Sequence, residues 1–179
     1  MTLTRSLQLT ALFLLTACST VGSALEPVAS KAPAYTLSAN TGLGAGQPDT
    51  VCRNVQVKRR TVGVYCRSSS TALLQELGVS VTPADPGDAS PARNVDFATG
   101  MSQYSGTPRR LHGRDGFTAE VDCDTGTGEV YRATGTCLAA VSFDDARRFH
   151  YAQLTLRDEA AGKQILSPDD ALAIADALD

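Results

Sequence analysis

Three arginines and a histidine stand within six residues at Arg109-Arg110-Leu111-His112-Gly113-Arg114, and Tyr104 lies just before them. A guanidinium is a planar fork of donors that matches carboxylate and phosphate groups, and a tyrosine adds rigid contact area. Tyr104, Arg109, Arg110, His112 and Arg114 are therefore the candidate set for an anionic partner. The competing account is an ordinary solvated loop. Nucleophilic catalysis would need His112 or His150, the two histidines of the chain, beside a nucleophile and an acid. Gly100-Met101-Ser102-Gln103-Tyr104 comes nearest to the Gly-x-Ser-x-Gly elbow, but Tyr104 stands where the second glycine is needed.

The remaining polar groups have plainer explanations. Asp144-Asp145, Asp158-Glu159 and Asp169-Asp170 could supply a pair of glycosidase carboxylates, yet turns and a helix start account for all three. Asp122 to Glu129 has the oxygen-rich look of a calcium loop, but Gly126 and Thr127 fall at the wrong places and Glu129 comes too early. Cys52 and Cys66 enclose thirteen residues, as do Cys123 and Cys137, whereas zinc sites favour pairs two to four residues apart. Two local disulfides, Cys52–Cys66 and Cys123–Cys137, are expected among three possible connectivities, because local closure costs less chain entropy than a crossed pairing. No catalytic residue, metal or cofactor is expected.

The elements that would carry these groups can be read in outline. Val55 and Val57, then Val62 and Val64, alternate with polar residues around Lys58-Arg59-Arg60-Thr61, which reads as a β-hairpin between Cys52 and Cys66. Ser69 to Gly78 has a capping hydroxyl, leucines on one face and a closing glycine, giving a short helix near 70–77. Val79–Thr82 suits a strand, and Pro83 to Pro91 a loop. Residues 92–114 carry scattered apolar side chains and read as a long surface excursion. Phe117 to Cys123 alternates cleanly; Val130-Tyr131, Cys137–Phe143 and Phe149–Leu156 add further strands. Ser167-Pro168-Asp169-Asp170 opens a C-terminal helix near 168–178. The expected class is α+β, an antiparallel sheet of about four to six strands with these two helices.

The first residues concern address. Arg5 precedes an apolar run near Leu7–Leu15 that is too short to span a bilayer, and Leu15-Thr16-Ala17-Cys18 ends it. This stretch resembles the lipobox of bacterial lipoproteins. The resemblance implies that residues 1–17 are a signal peptide and that Cys18 is acylated as the new N-terminus. It also implies anchoring by lipid, and Ser19, in place of a retaining aspartate, implies the periplasmic leaflet of the outer membrane. The alternative is cleavage after Gly22-Ser23-Ala24, releasing a soluble chain. Five cysteines leave one odd in an exported chain, and lipidation of Cys18 leaves an even four.

Residues 18–50, rich in Ala, Ser, Gly, Pro and Thr, read as a flexible tether, with one globular domain at 51–179. Within the tether, Tyr35-Thr36-Leu37 resembles the Tyr-x-Leu start of the first strand in auxiliary lipoproteins of ABC-type lipid-transport systems. Cys52-Arg53-Asn54-Val55 with Tyr65-Cys66-Arg67 is similar to a cysteine-bracketed stretch of small exported proteobacterial proteins, a likeness that implies no activity. Removing residues 1–17 leaves 15 basic against 19 acidic side chains, a net charge of −4, which with the compartment argues against nucleic acid. Three functions follow as expectations. The first is a non-catalytic envelope binding or accessory module facing peptidoglycan, lipopolysaccharide or an envelope protein. The second is an ABC-type transport or secretion auxiliary. The third is an envelope hydrolase.

Overall fold

The computed structural model describes residues 31–82, 94–124, 134–144 and 148–179. Among these residues eleven strands and two helices follow in the order β1 Tyr35–Asn40, β2 Val51–Val57, β3 Arg60–Ser68, α1 Thr71–Glu76, β4 Val79–Thr82, β5 Asn94–Thr99, β6 Ser102–Ser105, β7 Thr107–Leu111, β8 Arg114–Asp124, β9 Thr134–Phe143, β10 Phe149–Asp158, β11 Lys163–Gln164 and α2 Pro168–Ala177. An eight-stranded antiparallel sheet runs β1-β2-β3-β10-β9-β8-β7, with β11 beside β10, and a three-stranded sheet runs β4-β5-β6. This architecture overturns the α+β expectation with its four to six strands: the protein is mostly β. The helices at 71–76 and 168–177 are small additions to two sheets.

The extra strands come from two stretches whose composition hides them. Tyr35–Asn40 lies inside the segment read as tether, yet it pairs with β2, Tyr35 opposite Val57 and Leu37 opposite Val55. Residues 94–111, read as a loop, hold β5, β6 and β7. β1, β6 and β7 are edge strands, which bury little and need no apolar alternation, and Pro108 is tolerated because β7 is an edge; β5 lies between β4 and β6 and does alternate, with Val95 and Phe97 buried. Turn chemistry fixes their register. Thr99 pairs with Ser102 across Gly100-Met101, with Gly100 at φ 57°, as a two-residue turn with glycine first requires.

The large sheet is covered on both faces. On one, Cys52, Cys66, Val121, Cys123, Cys137, Val141 and Tyr151 pack against Leu73 of α1 and Val79, Val95 and Phe97 of the small sheet. Both disulfides lie in this layer, Cys52–Cys66 with Cα atoms 4.1 Å apart and Cys123–Cys137 at 5.6 Å. On the other, Tyr65, Leu138, Ala140, Ala152 and Leu154 receive Ala171, Ile174 and Leu178 from the α2 side. Burying a side chain such as Ile174 contributes roughly 1.5–3 kcal/mol. With cover on both faces, β10 is buried from Phe149 through Leu156. Its polar members His150, Gln153 and Thr155 are thereby drawn inside.

Both helices are capped as their sequences dictate. Ser70 Oγ accepts from the Leu73 amide, and Ser167 Oγ accepts from Asp170. The β6–β7 passage carries the chain from one sheet to the other at Gly106, where a Cβ would sit 2.8 Å from the Val95 carbonyl oxygen and 3.0 Å from Phe117 Cβ. Val130-Tyr131 and the Asp85-Pro86-Gly87-Asp88 loop lie outside the described residues.

Candidate functional site

The arginine run is a hairpin, and Arg110 and Arg114 are paired within the chain. β7 and β8 pair through Leu111 opposite Arg114, with His112 and Gly113 as the two turn residues at φ 48° and 72°. Arg110 Nη1 donates to Asp115 Oδ1 at 2.5 Å, and Nη2 reaches the Gly113 carbonyl. Arg114 pairs with the Asp179 carboxylate, and His112 Nε2 lies 3.4 Å from the same group. The His112 amide donates to Asp176 Oδ1 at 2.8 Å. The hairpin tip therefore clamps the end of α2. The Arg114 bond holds the Asp179 carboxyl below its usual range despite some desolvation.

Arg109 and Tyr104 are placed apart from this clamp. Arg109 makes no ion pair among the described residues, and its buried Nε has no hydrogen-bond partner. Tyr104 belongs to β6, and its hydroxyl donates to Asp122 Oδ2 at 2.6 Å while accepting from the Asp122 amide at 3.4 Å. β7 covers β8 only as far as Thr118, so Tyr104 caps the free edge beyond it. The five residues singled out in sequence thus do not converge on one surface. Arg110 and Arg114 carry counter-ions from their own chain, and His112 lies beside the Asp179 carboxylate.

A second cluster is inside the molecule. His150 and Ser142 are opposite one another on β10 and β9, and Tyr65 approaches from β3. The Tyr65 hydroxyl lies 2.8 Å from His150 Nδ1, and Asp144 Oδ2 lies 3.7 Å from Nε2. Burial lowers the histidine's proton affinity, with Arg114 acting the same way and Asp144 and Asp179 opposing. Burial pushes the Tyr65 phenol up to about 12. A neutral imidazole with its proton on Nε2, facing the Asp144 carboxylate, lets Nδ1 accept from the tyrosine.

Ser142, His150 and Asp144 have the residue types of a hydrolytic triad, but not its wiring. A serine nucleophile needs one imidazole nitrogen while the acid takes the other. Here one faces Tyr65 and the other Asp144, so Ser142 is left without a base. The cavity lined by Tyr65, Ser142, His150 and Leu178 has a volume of about 10 Å³. That admits at most one water. The imidazole is 5% exposed. The arrangement suits a buried polar joint between β3, β9 and β10 rather than a reaction centre. Cys52, Cys66, Cys123 and Cys137 are likewise withdrawn from thiolate chemistry by their disulfides.

A more open space lies at the start of α2, a cleft of about 430 Å³ lined by Glu120, Thr136, Leu156, Arg157, Gln164 and Leu166. Its lining includes Leu156 and Leu166 and one charge of each sign, Glu120 and Arg157. Nothing in the sequence pointed to it, because its residues come from β8, β9, β10, β11 and the passage into α2. Nor did the sequence point to Tyr65 with His150, 85 positions apart. A strand-period signal was present: His150 alternates in phase with Ala152 and Leu154, which marks it as inward-facing.

No family model, curated protein or solved structure matches this chain. Its function therefore rests on residues and geometry. Among the described residues no helix is long and apolar enough to cross a membrane. The acidic doublets are spread through the fold: Asp144 sits by His150, Asp158 pairs with Arg60 at 3.5 Å, and Asp169-Asp170 form the first turn of α2. Asp145 and residues 125–129 of the calcium-like stretch lie outside the described residues.

Proposed function

We propose that this chain is a lipid-anchored bacterial envelope lipoprotein acting as a non-catalytic binding or accessory module on the periplasmic leaflet of the outer membrane. The observation that carries the reading is the cysteine pairing. Cys52–Cys66 and Cys123–Cys137 take four of five cysteines, and the fifth is Cys18 of Leu15-Thr16-Ala17-Cys18. Disulfides also suit an oxidising compartment. The imidazole wiring around His150 favours a module over a hydrolase. Peptidoglycan, lipopolysaccharide or another envelope protein is the proposed partner.

The test is fractionation with intact mass analysis. Wild type should be recovered in membranes with acyl mass on Cys18, and Cys18→Ala should be released or left unprocessed. Unmodified soluble protein beginning at Leu25 would refute the lipid anchor. A second reading, an ABC-type transport or secretion auxiliary, has its own support: Tyr35-Thr36-Leu37 opens β1, the position at which that family's Tyr-x-Leu begins its first strand. Co-purification of the lipidated chain with transporter subunits would favour it.

A further inference from the structure

The β2–β3 turn carries exposed charge in a conformation that its residues rarely adopt. Val57 pairs with Arg60, leaving Lys58 and Arg59 as the two turn residues, at φ 50° and 65°. Such turns favour Asn-Gly, since side chains other than those of Gly, Asn and Asp enter the left-handed region at a cost. Here two long cations occupy it instead. Both are exposed, and neither makes an ion pair among the described residues. Arg60 beside them is paired with Asp158 yet 49% exposed. Arg157 and Lys163, on the neighbouring β10 and β11, are exposed as well.

Nearby acids do not cancel this group. Asp158 and Glu159 stand against five cations, and Glu120 and Asp122 belong to β8, where Glu120 shares a cleft with Arg157 of β10 but lies three strands from β3 and its turn. Three inter-strand spacings are about 14 Å. That exceeds the screening length of about 8 Å at physiological salt. The end of the sheet at the β2–β3 turn is therefore locally cationic on a chain that is acidic overall.

This turn is also where the chain joins the sheet. Tyr35, the first residue of β1, is the register partner of Val57, adjacent to the turn. We infer that Lys58 and Arg59, with Arg60 beside them, form a docking tip for an anionic phospholipid surface. The inference rests on the lipid-anchor reading for access to the bilayer: seventeen residue steps from Cys18 to Tyr35 reach at most about 60 Å, so an acylated Cys18 confines Tyr35, and the turn beside it, to within that distance of the surface. Lys31, four residues before Tyr35, adds a further cation to the same approach. The tip presents point charges and no apolar wedge, so headgroup attraction is the whole of the expected binding.

The test uses the unlipidated chain from Ser19, which keeps every described residue and makes the result independent of acylation at Cys18. Sedimentation with vesicles of phosphatidylcholine containing 30 mol% phosphatidylglycerol is compared with pure phosphatidylcholine, at low and at physiological salt. The decisive variant is Lys58→Asn/Arg59→Gly, which removes two charges and installs the preferred turn. Its melting temperature should rise while its partitioning onto the anionic vesicles falls about 30-fold, equivalent to about 1 kcal/mol per cation. Arg109→Ala/Arg110→Ala should bind as wild type does. Undiminished binding by Lys58→Asn/Arg59→Gly, equal binding to neutral vesicles, or no binding of wild type at low salt would each overturn the inference. Fractionation of Cys18→Ala separately decides the anchor.

Discussion

Tyr65→Phe removes one oxygen, and the structure sets what that should cost. The hydroxyl lies 2.8 Å from His150 Nδ1, and both side chains are buried, at 4% and 6% exposure. His150 Nε2 already lacks a hydrogen bond within normal distance. Without the hydroxyl the ring would have no hydrogen-bond partner on either nitrogen. An unsatisfied buried group costs about 1–3 kcal/mol. His150→Leu should cost a comparable amount, because the Tyr65 hydroxyl is then the orphan. The double variant Tyr65→Phe/His150→Leu removes both partners, so its cost should fall short of the summed single costs by about 1–2 kcal/mol. Urea unfolding at neutral pH with disulfides intact, followed by far-ultraviolet circular dichroism, measures all four proteins of the cycle. An unchanged denaturant slope would keep the comparison on native-state stability. Additivity within about 0.4 kcal/mol would refute the argument, since residues that do not interact add to that precision.

Three further outcomes are expected. Stability should fall at both ends of the pH scale: His150's affinity is depressed below its ordinary 6.5, so as pH drops below that value the unfolded chain binds the proton first and stability is lost toward the folded value. On the alkaline side the unfolded chain releases tyrosine protons from about 10 while Tyr65 holds its own to about 12, so stability declines as pH rises through that window; thermal melts of wild type and His150→Leu should show the acid arm reduced in the variant. Replacing either cysteine pair by alanine should remove about 3 kcal/mol for a loop of this length, lowering the melting temperature by roughly 6–12 °C, and non-reducing peptide mapping should recover Cys52–Cys66 and Cys123–Cys137. Gly63→Ala should destabilise severely, by more than about 3 kcal/mol, because the new Cβ would collide with the Gln153 carbonyl oxygen and sit 2.8 Å from Leu154 Cδ2; a soluble, cooperatively melting variant within 1 °C of wild type would contradict it.

What the sequence determined by itself is local. Each cysteine pair closes over thirteen residues, a hairpin's length, so pairing and disulfide could be read together. Both helices announced themselves through a serine cap and a short apolar face. The alternation from Phe117 to Cys123 marked β8, because a half-buried strand must show its period. What failed was everything whose cause lies elsewhere in the chain. β1, β6 and β7 are polar edge strands held by neighbours rather than by their own apolar pattern, so Tyr35–Asn40 passed for tether and Ser102–Leu111 for loop. Missing them turned a two-sheet β protein into an expected α+β fold. The arginine run was legible as charge but not as a clamp on α2, because Asp176, which accepts from the His112 amide, and Asp179, which pairs with Arg114, are more than sixty positions away. Tyr65 and His150 meet only because β3 pairs with β10, and their burial depends on α2 closing over that face. Only tertiary structure decides which charges meet counter-ions, and here it left Lys58 and Arg59, at the turn beside β1, facing solvent.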